Sequence, residues 1–337
     1  MNSEITSLTK TIFPEVVKTR RYLHQHPELS YKEFETTAFI KSRLDELGID
    51  YESPLETGCV AKIEGENPDE RVIALRADID ALPMEEEGDK KSEFRSQNPG
   101  AAHCCGHDAH TANLLGTAKI LKALQHEIKG TVYLIFQPGE EKLPGGGRLL
   151  CETGYLQSKK VQRIFGLHTS PDYEPGSIAL KEGELMARPD EFEIEIMGKG
   201  GHAAKPHQAV DPVVLAAQFV NAVQTIPSRH VDPTEKAVVT VGKISGGTAH
   251  NIIPEKVQLM GTVRTFNAET AELIKYRMEE ILKGITAGAG GSYQFTFNYG
   301  YPPVINSVNE TAMVIRKGKE LFGDGAVIEM DKPIMAG

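Results

Sequence analysis

Histidines, cysteines and an aspartate are crowded into the segment HCCGHDAH, residues 103–110. Cys105 and His107 stand two positions apart, which would direct them to different faces of a helix but lets them converge from an extended loop. Imidazole and thiolate are preferred ligands of zinc and related metals. The segment therefore predicts a metal-binding loop, in which the flanking His103 and His110 either support the ligands or face a substrate.

The elements that must position these groups are indicated by hydrophobic patterning. Apolar runs at 71–76, 131–136 and 163–167 predict buried strands of a sheet covered on both faces. Apolar residues at helical spacing over 114–121 predict a helix between the first two strands. Alternating strands and helices indicate an α/β domain with a mostly parallel sheet.

Polar side chains fall where these strands end. Asp78 and Asp80 follow the first predicted strand, Glu140 and Glu141 follow the second, and His168 follows the third. The carboxyl ends of parallel strands form the edge at which open α/β sheets bind ligands. We therefore expect these distant residues to meet there, beside the loop at the start of the predicted helix.

Four of these side chains form a donor set for a divalent ion: Cys105, His107, Glu141 and His168. This mixture of sulfur, nitrogen and oxygen suits Zn²⁺ best, with Mn²⁺, Co²⁺ and Ni²⁺ as alternatives. The spacing alone leaves a structural role open for each residue, as a buried thiol, hydrogen-bonded histidines and a solvated acidic pair.

Near the N-terminus, Ser30 precedes Glu33 by three residues, which is the spacing of a capping box. A stripe of apolar residues follows, and Gly48 supplies a stop signal. The pattern predicts a helix that begins at Ser30 and is capped reciprocally by these two side chains.

From about residue 188 the pattern changes to strands and helices in the order β-α-β-β-α-β. Asp211 and Pro212 predict the start of the first helix, and Asn267 predicts the cap of the second. This order is typical of a small α+β, ferredoxin-like domain. After about residue 301 we expect the chain to return to the first domain, with a helix near 309–322.

The composition of the chain argues against nucleic acids and membranes as binding partners. The formal net charge of −10 and the lack of a basic stretch argue against a nucleic-acid partner. No apolar run approaches the roughly 20 residues of a membrane span, and the first residues do not form a secretion signal. We therefore expect a cytoplasmic protein that binds neither nucleic acid nor membrane.

Several motifs resemble the M20 metallopeptidase family, and most closely its branch of N-acyl-amino-acid and hippurate hydrolases. They occur in the family's order along nearly the whole chain: RADIDALP (76–83), HCCGHDAHTANLLGTAK (103–119), IFQPGEE (135–141), GLH (166–168), GKGGHAAKPH (198–207), DP (211–212) and HNIIP (250–254).

The resemblance implies a catalytic domain that holds two divalent metal ions and a smaller satellite domain inserted into it. Residues 1–187 and 301–337 would form the catalytic domain, and 188–300 the satellite. It also implies a homodimer or higher homo-oligomer formed through the satellite domain.

The family pattern maps its metal ligands onto the donor set above and its general base onto Glu140. A carboxylate beside the metals can take a proton from water and pass it to the leaving amine. Asp80 matches an aspartate that supports the ligands, and Asp78 would orient a ligand imidazole.

Three residues beyond 188 match family positions that act on the substrate. His202 matches the histidine that stabilises the developing oxyanion, in dimeric members often from the partner subunit. Asn251 and Arg264 match positions that hold the substrate carboxylate. The implied reaction is hydrolysis of the amide bond of an N-acyl amino acid; the alternatives are a di- or aminopeptidase on the same scaffold and a binding protein with an impaired site.

Two departures from the family pattern bear on this expectation. Cys104 stands where the branch usually has alanine, so the choice of Cys105 rests on its place in CGHD. Relatives continue beyond IMAG to a GEDF stretch and a further histidine ligand, whereas this chain ends at Gly337. The resemblance then implies a truncated catalytic domain with impaired metal binding.

Overall fold

A computed structural model describes residues 2–88 and 92–335. The chain forms two compact units, residues 1–173 and 174–337. The first unit ends before the expected boundary at 187, and residues 301–337 fall in the second unit. The assignment of these segments to a catalytic or a satellite domain stays a prediction.

The first unit is built on a five-stranded sheet in the order β1-β2-β4-β3-β5. Its strands are β1 (Tyr51–Glu52), β2 (Cys59–Glu64), β3 (Val72–Asp78), β4 (Thr131–Gln137) and β5 (Arg163–Gly166). Its helices are α1 (Asn2–Gln25), α2 (Phe34–Glu46), α3 (His107–Ala123), α4 (Gly146–Glu152) and α5 (Tyr155–Ser158).

The α/β class is confirmed, but the sheet is mixed. β3 pairs in parallel with β4 and β5, whereas β2 pairs antiparallel with β4 and β1. The connection from β2 to β3 spans only residues 65–71, too short for the crossover of a dozen or more residues that parallel strands need. β2 must therefore run against β3, and the parallel strands that position the polar residues are β4, β3 and β5, which form one side of the sheet and end at its edge.

Apolar side chains cover the sheet on both faces, as predicted. On one face Leu134 packs in a cluster with Ile40 of α2 and Leu115 of α3. On the other face Ile135 packs in a cluster with Leu150 of α4. All seven residues of β4 are buried, which explains their continuous apolar run.

Two local predictions are wrong. β5 is not a buried strand, because it lies at the edge of the sheet and Ile164 is 55% exposed. Ser30 and Glu33 do not form a capping box, because α2 begins at Phe34 with no side-chain cap. Ser30 instead donates to Asp80, and Glu33 accepts from Thr57, so distant polar partners replace the local one.

The second unit contains a four-stranded antiparallel sheet in the order β10-β12-β8-β13 and three two-stranded pairs. Its strands are β6 (Ile178–Leu180), β7 (Gly183–Met186), β8 (Arg188–Met197), β9 (Gly201–His202), β10 (Ala237–Gly246), β11 (Ile252–Ile253), β12 (Lys256–Thr265), β13 (Ser292–Asn298), β14 (Val304–Asn306) and β15 (Val327–Glu329). Its helices are α6 (Pro212–Val223), α7 (Thr225–Arg229), α8 (Ala268–Ala289) and α9 (Val308–Phe322).

The predicted β-α-β-β-α-β succession is present as β8, α6, β10, β12, α8 and β13, in the strand order of a split βαβ fold. Both predicted helix caps are confirmed: Asp211 accepts from the backbone of Val213, and Asn267 accepts from that of Thr270. α6 and α8 pack against the sheet through one apolar cluster that includes Phe219. None of the helices described is long and apolar enough to cross a lipid bilayer.

Candidate metal centre

A glycine turn joins the two ligand candidates of the cluster segment. Gly106 has a φ of +90°, and a Cβ there would lie 2.3 Å from Oγ1 of Thr169, so the turn requires glycine. Cys105 lies in the loop before α3, and His107 is the first residue of the helix. The predicted metal-binding loop therefore continues into the helix N-terminus.

The four predicted ligands converge from the expected edge of the sheet. Sγ of Cys105 lies 3.3 Å from Nε2 of His168, and Nε2 of His107 lies 3.8 Å from Oε1 of Glu141. Oε2 of Glu140 lies 3.9 Å from the same nitrogen of His107. Donor atoms bound to one ion at about 2.0–2.3 Å are separated by roughly 3–4 Å, so these distances match a metal centre.

In the part of the chain that the structure describes, three overlapping groups of donors share His107. They are Cys105, His107 and His168; His107, Glu140 and Glu141; and Asp78, His107 and His110, with the donor atoms of each group within 4.8 Å of one another. A further observation indicates that these residues can bind a divalent ion. Among the described residues, Nε2 of His107 and Oε1 of Glu141 are buried atoms without a hydrogen-bond partner. Buried polar atoms are normally paired, so two such atoms facing each other indicate a ligand between them.

His107 is oriented by Asp80. Its Nδ1 lies 3.0 Å from the backbone oxygen of Asp80 and 3.3 Å from Oδ1, so this nitrogen donates and Nε2 is left for an ion. Burial lowers the pKa of His107, but the hydrogen bond with Asp80 and the charges of Asp78 and Asp80 outweigh this effect and raise the pKa to about 11. The surrounding carboxylates thus favour positive charge at this position, and a metal ion competes there with a proton.

His168 is oriented by its own backbone. Its Nδ1 donates to the carbonyl of Thr169 at 2.6 Å, which turns Nε2 toward Cys105. His110 supports this segment, because its Nε2 accepts from the backbone N–H of Thr169 and its Nδ1 donates to Asp78. Both ring nitrogens of His110 are thus occupied, and of the two roles left open by the sequence the geometry favours support of the ligands.

Asp78 is buried at the end of β3, between Arg76 and His110, at 2.7 and 2.6 Å. Burial raises the pKa of Asp78, but the hydrogen bond from His110 and the charge of Arg76 outweigh it and hold that pKa well below its usual range. Asp78 therefore stays ionised and adds negative charge 3.6 Å from Nε2 of His107.

The pKa of Glu140 is shifted far from the usual value of a glutamate. Burial raises the pKa of Glu140 to about 7; the charge of His107 opposes the shift, and those of Asp78 and Glu141 add to it. A carboxyl group whose pKa lies near neutrality can both accept and return a proton under physiological conditions. This property suits acid–base chemistry beside the donor set.

The substrate-contact candidates lie in the second unit. His202 in β9 pairs with Ile252 in β11, and the backbone N–H of Ala203 donates to the carbonyl of Asn251, so His202 and Asn251 are neighbours on one ribbon. Both side chains are exposed. Arg264 lies instead in β12 of the four-stranded sheet, where its Nη1 is buried and has no hydrogen-bond partner among the described residues.

An α/β unit that gathers sulfur, nitrogen and oxygen donors beside such a glutamate, at the carboxyl ends of parallel strands, is built like a metal-dependent hydrolase. Residues 74–337 match Peptidase family M20/M25/M40. The chain belongs to this family, and the resemblance carried by its motifs is confirmed.

Relatives and solved structures agree with this assignment. The chain is 45% identical over 304 residues to an N-acyl-L-amino acid amidohydrolase of Geobacillus stearothermophilus, covering 90% of this chain and 81% of the relative. It is 45% identical over 305 residues to an N-acetyl-L-cysteine deacetylase of Bacillus subtilis, covering 90% and 72%. The crystal structure of the B. subtilis YXEP protein, described as a dinuclear metal binding peptidase from the M20 family, matches with a TM-score of 0.78 and 37% identity over 97% of this chain and 84% of that one.

Proposed function

We propose that this protein is a metal-dependent amidohydrolase that removes the acyl group of an N-acyl amino acid and releases a carboxylic acid and the free amino acid. The observation that carries the proposal is the convergence of Cys105, His107, Glu141 and His168, with two unpartnered donor atoms and Glu140 alongside. The activities named for two relatives at 45% identity support the substrate class.

The proposed cofactor is a pair of divalent ions, with zinc favoured and manganese, cobalt or nickel as alternatives. Cys105, His107 and His168 would hold one ion, and His107, Glu140 and Glu141 lie around the second position. Bound there, the ions would supply Lewis acidity that polarises the amide carbonyl and lowers the pKa of water.

Glu140 is the proposed general base. It takes a proton from the attacking water and returns it to the nitrogen of the leaving amino acid, which its raised pKa allows. Glu141 is the proposed ligand because its Oε1 is buried and unpartnered among the described residues. Asp80 fixes the backbone of Glu141 and the ring of His107, so it positions both groups.

The second unit would supply the contacts to substrate. His202 would donate to the developing oxyanion, and Asn251 and Arg264 would bind the substrate carboxylate. A homodimer or higher homo-oligomer through residues 188–300, a cytoplasmic location and the lack of nucleic-acid or membrane partners stay predictions.

A second candidate is a di- or aminopeptidase, which the description of the YXEP neighbour as a peptidase favours. The two are separated by substrate preference: an amidohydrolase prefers N-acetyl or N-benzoyl amino acids, whereas a peptidase prefers dipeptides with a free amine.

The decisive experiment combines chelation with the Glu140→Gln variant. Chelator should abolish hydrolysis of N-acyl amino acids, and Zn²⁺ or Mn²⁺ should restore it. Glu140→Gln should lower kcat by about 10²–10⁴-fold, the usual effect of losing a general base, while metal content stays at the wild-type level.

Glu152→Gln is the matched control, because Glu152 is an exposed partner of Arg148 on α4. Full activity in chelator, or a near-wild-type rate for Glu140→Gln, would refute the mechanism. Absence of both metal and turnover in the wild type would favour the impaired binding protein instead.

A further inference from the structure

We propose that Ser30, Tyr31 and Glu33 are positioning residues that hold the loop bearing Glu140 and Glu141. We call this segment, Ser30 to Glu33, the 30–33 bracket, and we call residues 138–146 the glutamate loop. The inference rests on the proposed function, because it assigns the bracket a role in that reaction. It concerns residues to which the family resemblance gives no role and for which the spacing of Ser30 and Glu33 predicted only a local helix cap.

Glu33 holds the loop immediately before the two glutamates. Its side chain is fully buried, and Oε1 accepts the backbone N–H of Gly139 at 2.7 Å. Oε2 accepts the hydroxyl of Thr57 at 2.8 Å. A buried carboxylate is costly to maintain, so its use on one backbone amide of the loop indicates that the position of that amide matters.

Tyr31 holds the loop immediately after them. Its hydroxyl donates to the carbonyl of Lys142 at 2.6 Å and accepts the N–H of Gly145 at 2.8 Å. Its ring also lies against Gly139, where a Cβ would approach within 2.3 Å of the ring carbon Cε1. The two glutamates are thus fixed from both ends by one four-residue segment.

The backbone of the bracket is itself strained. Tyr31 has a φ of +65°, in the left-handed region that bulky residues rarely adopt. Such conformations persist only where the surrounding contacts determine them, and they are concentrated at functional sites. Here the strained residue is the one whose ring and hydroxyl both contact the glutamate loop.

The bracket also reaches the donor set through Asp80. Ser30 donates to Oδ2 of Asp80 at 2.7 Å, and the same oxygen accepts the N–H of Glu141 at 2.9 Å. Oδ1 of Asp80 lies 3.3 Å from Nδ1 of His107. The bracket therefore sets the distance between Glu141 and His107, on which the second group of donors depends.

A misplacement of about 1 Å can cost on the order of 10²-fold in rate, so loosening the loop should affect turnover more than folding. Tyr31→Phe keeps the ring against Gly139 and removes only the hydroxyl. We expect kcat to fall about tenfold, with KM within about twofold and metal stoichiometry unchanged. We also expect faster amide hydrogen exchange across residues 139–146, measured on the metal-free protein.

Tyr51→Phe is the matched control, because the one hydrogen bond that the Tyr51 hydroxyl makes within the described residues is a long one, 3.4 Å, to exposed Asp45. It should leave rate and loop exchange at wild-type values. Glu33 supplies a second pair of variants. Glu33→Ala removes the acceptor for Gly139 and should lower kcat at least as much as Tyr31→Phe, whereas Glu33→Gln keeps an oxygen acceptor and should recover most of the rate. Glu46→Ala, at an exposed partner of Arg43, controls for charge loss.

The outcomes separate this proposal from the proposed function. Lower thermal stability of Tyr31→Phe and Glu33→Ala with unchanged kcat and unchanged loop exchange would mean a purely structural bracket and would overturn the proposal. If the wild type hydrolyses no N-acyl amino acid, the proposed function fails, but the exchange measurement and metal titration still test the bracket. Unaltered exchange and metal affinity in both variants would then reject it.

Discussion

The candidate metal centre and the ribbon formed by β9 and β11, which carries the proposed substrate contacts, differ in how their side chains are held. Around the metal centre, each ligand imidazole has a second partner: His107 is held by Asp80, and His168 by the carbonyl of Thr169. On the ribbon, His202 and Asn251 are exposed, and Nδ1 of His202 accepts the backbone N–H of Ala204. The buried His107 is thus fixed by a buried carboxylate, whereas the exposed His168 and His202 are each held by a neighbouring backbone group. His107 therefore marks the rigid part of the metal centre, and the ribbon side chains are accessible to a ligand.

The contrast teaches where each kind of residue acts. Groups that bind ions or move protons must be held in place before the substrate arrives, because reorganisation during the reaction is costly. Groups that recognise a substrate must instead be accessible. Substitutions of the groups that support the metal ligands should therefore change metal affinity, whereas substitutions on the ribbon should change turnover or KM.

Of the substitutions that test this comparison, the largest effect is expected at His202 on the ribbon. His202→Ala should lower kcat for N-acyl amino acids by about 10²–10³-fold, the usual effect of removing one donor to an oxyanion, and should leave metal content unchanged. Steady-state kinetics and metal analysis of the same preparation provide the measurement.

His230→Ala is the matched control for this test, because His230 is an exposed histidine of the same unit. A kcat for His202→Ala within twofold of the control would contradict the expected role of the ribbon, because His202 would then make no contribution to turnover.

A smaller effect is expected at Asp80, which supports the metal ligands. Asp80→Asn keeps the size of the side chain but removes the charge that faces His107, and it weakens the acceptor for the backbone of Glu141. Loss of such a supporting group typically costs about 10–100-fold in metal affinity. Competition with a chromophoric chelator measures the affinity, and Asp50→Asn, at an exposed position, is the control.

Unchanged affinity in Asp80→Asn would show that the ligands keep their geometry without this carboxylate. Weakened metal binding in His202→Ala would also contradict the comparison, because a ribbon residue would then affect metal affinity as Asp80 does.

The sequence predicted the elements and the donor set better than the contacts that support them. Residue types past the ends of apolar runs were enough to predict that Glu141 and His168 lie close together, and the crowded loop at 103–110 added Cys105. The apolar pattern could not show that the run at 163–167 forms an exposed edge strand, because neighbours in a sheet are set by topology.

The contacts of the 30–33 bracket could not be predicted from the sequence, for a related reason. Glu33 and Gly139 are 106 positions apart, and Ser30 and Asp80 are 50 apart. The local spacing of Ser30 and Glu33 instead indicated a capping box, which relies on partners within one helical turn. Buried polar partners from distant segments competed successfully for both side chains.

The smallest effect is expected at Arg264, and it should appear in KM rather than in kcat. Its Nη1 is buried and unpartnered among the described residues, while burial lowers its pKa and the nearby charges of Glu191 and Asp190 oppose that shift. A planar guanidinium can bind a carboxylate through two parallel hydrogen bonds, which an ammonium group cannot reproduce. Arg264→Lys should therefore raise KM about tenfold, with kcat within about twofold.

An analogue tests whether that loss concerns the substrate carboxylate. For an N-acyl amine, which has the scissile amide but no carboxylate, Arg264→Lys and the wild type should have equal KM values, since the guanidinium has nothing to bind. Arg229→Lys, at an exposed arginine of α7, should match the wild type on both substrates. An equal rise in KM for both substrates would instead assign Arg264 to the integrity of β12, because a structural loss does not depend on which substrate is present.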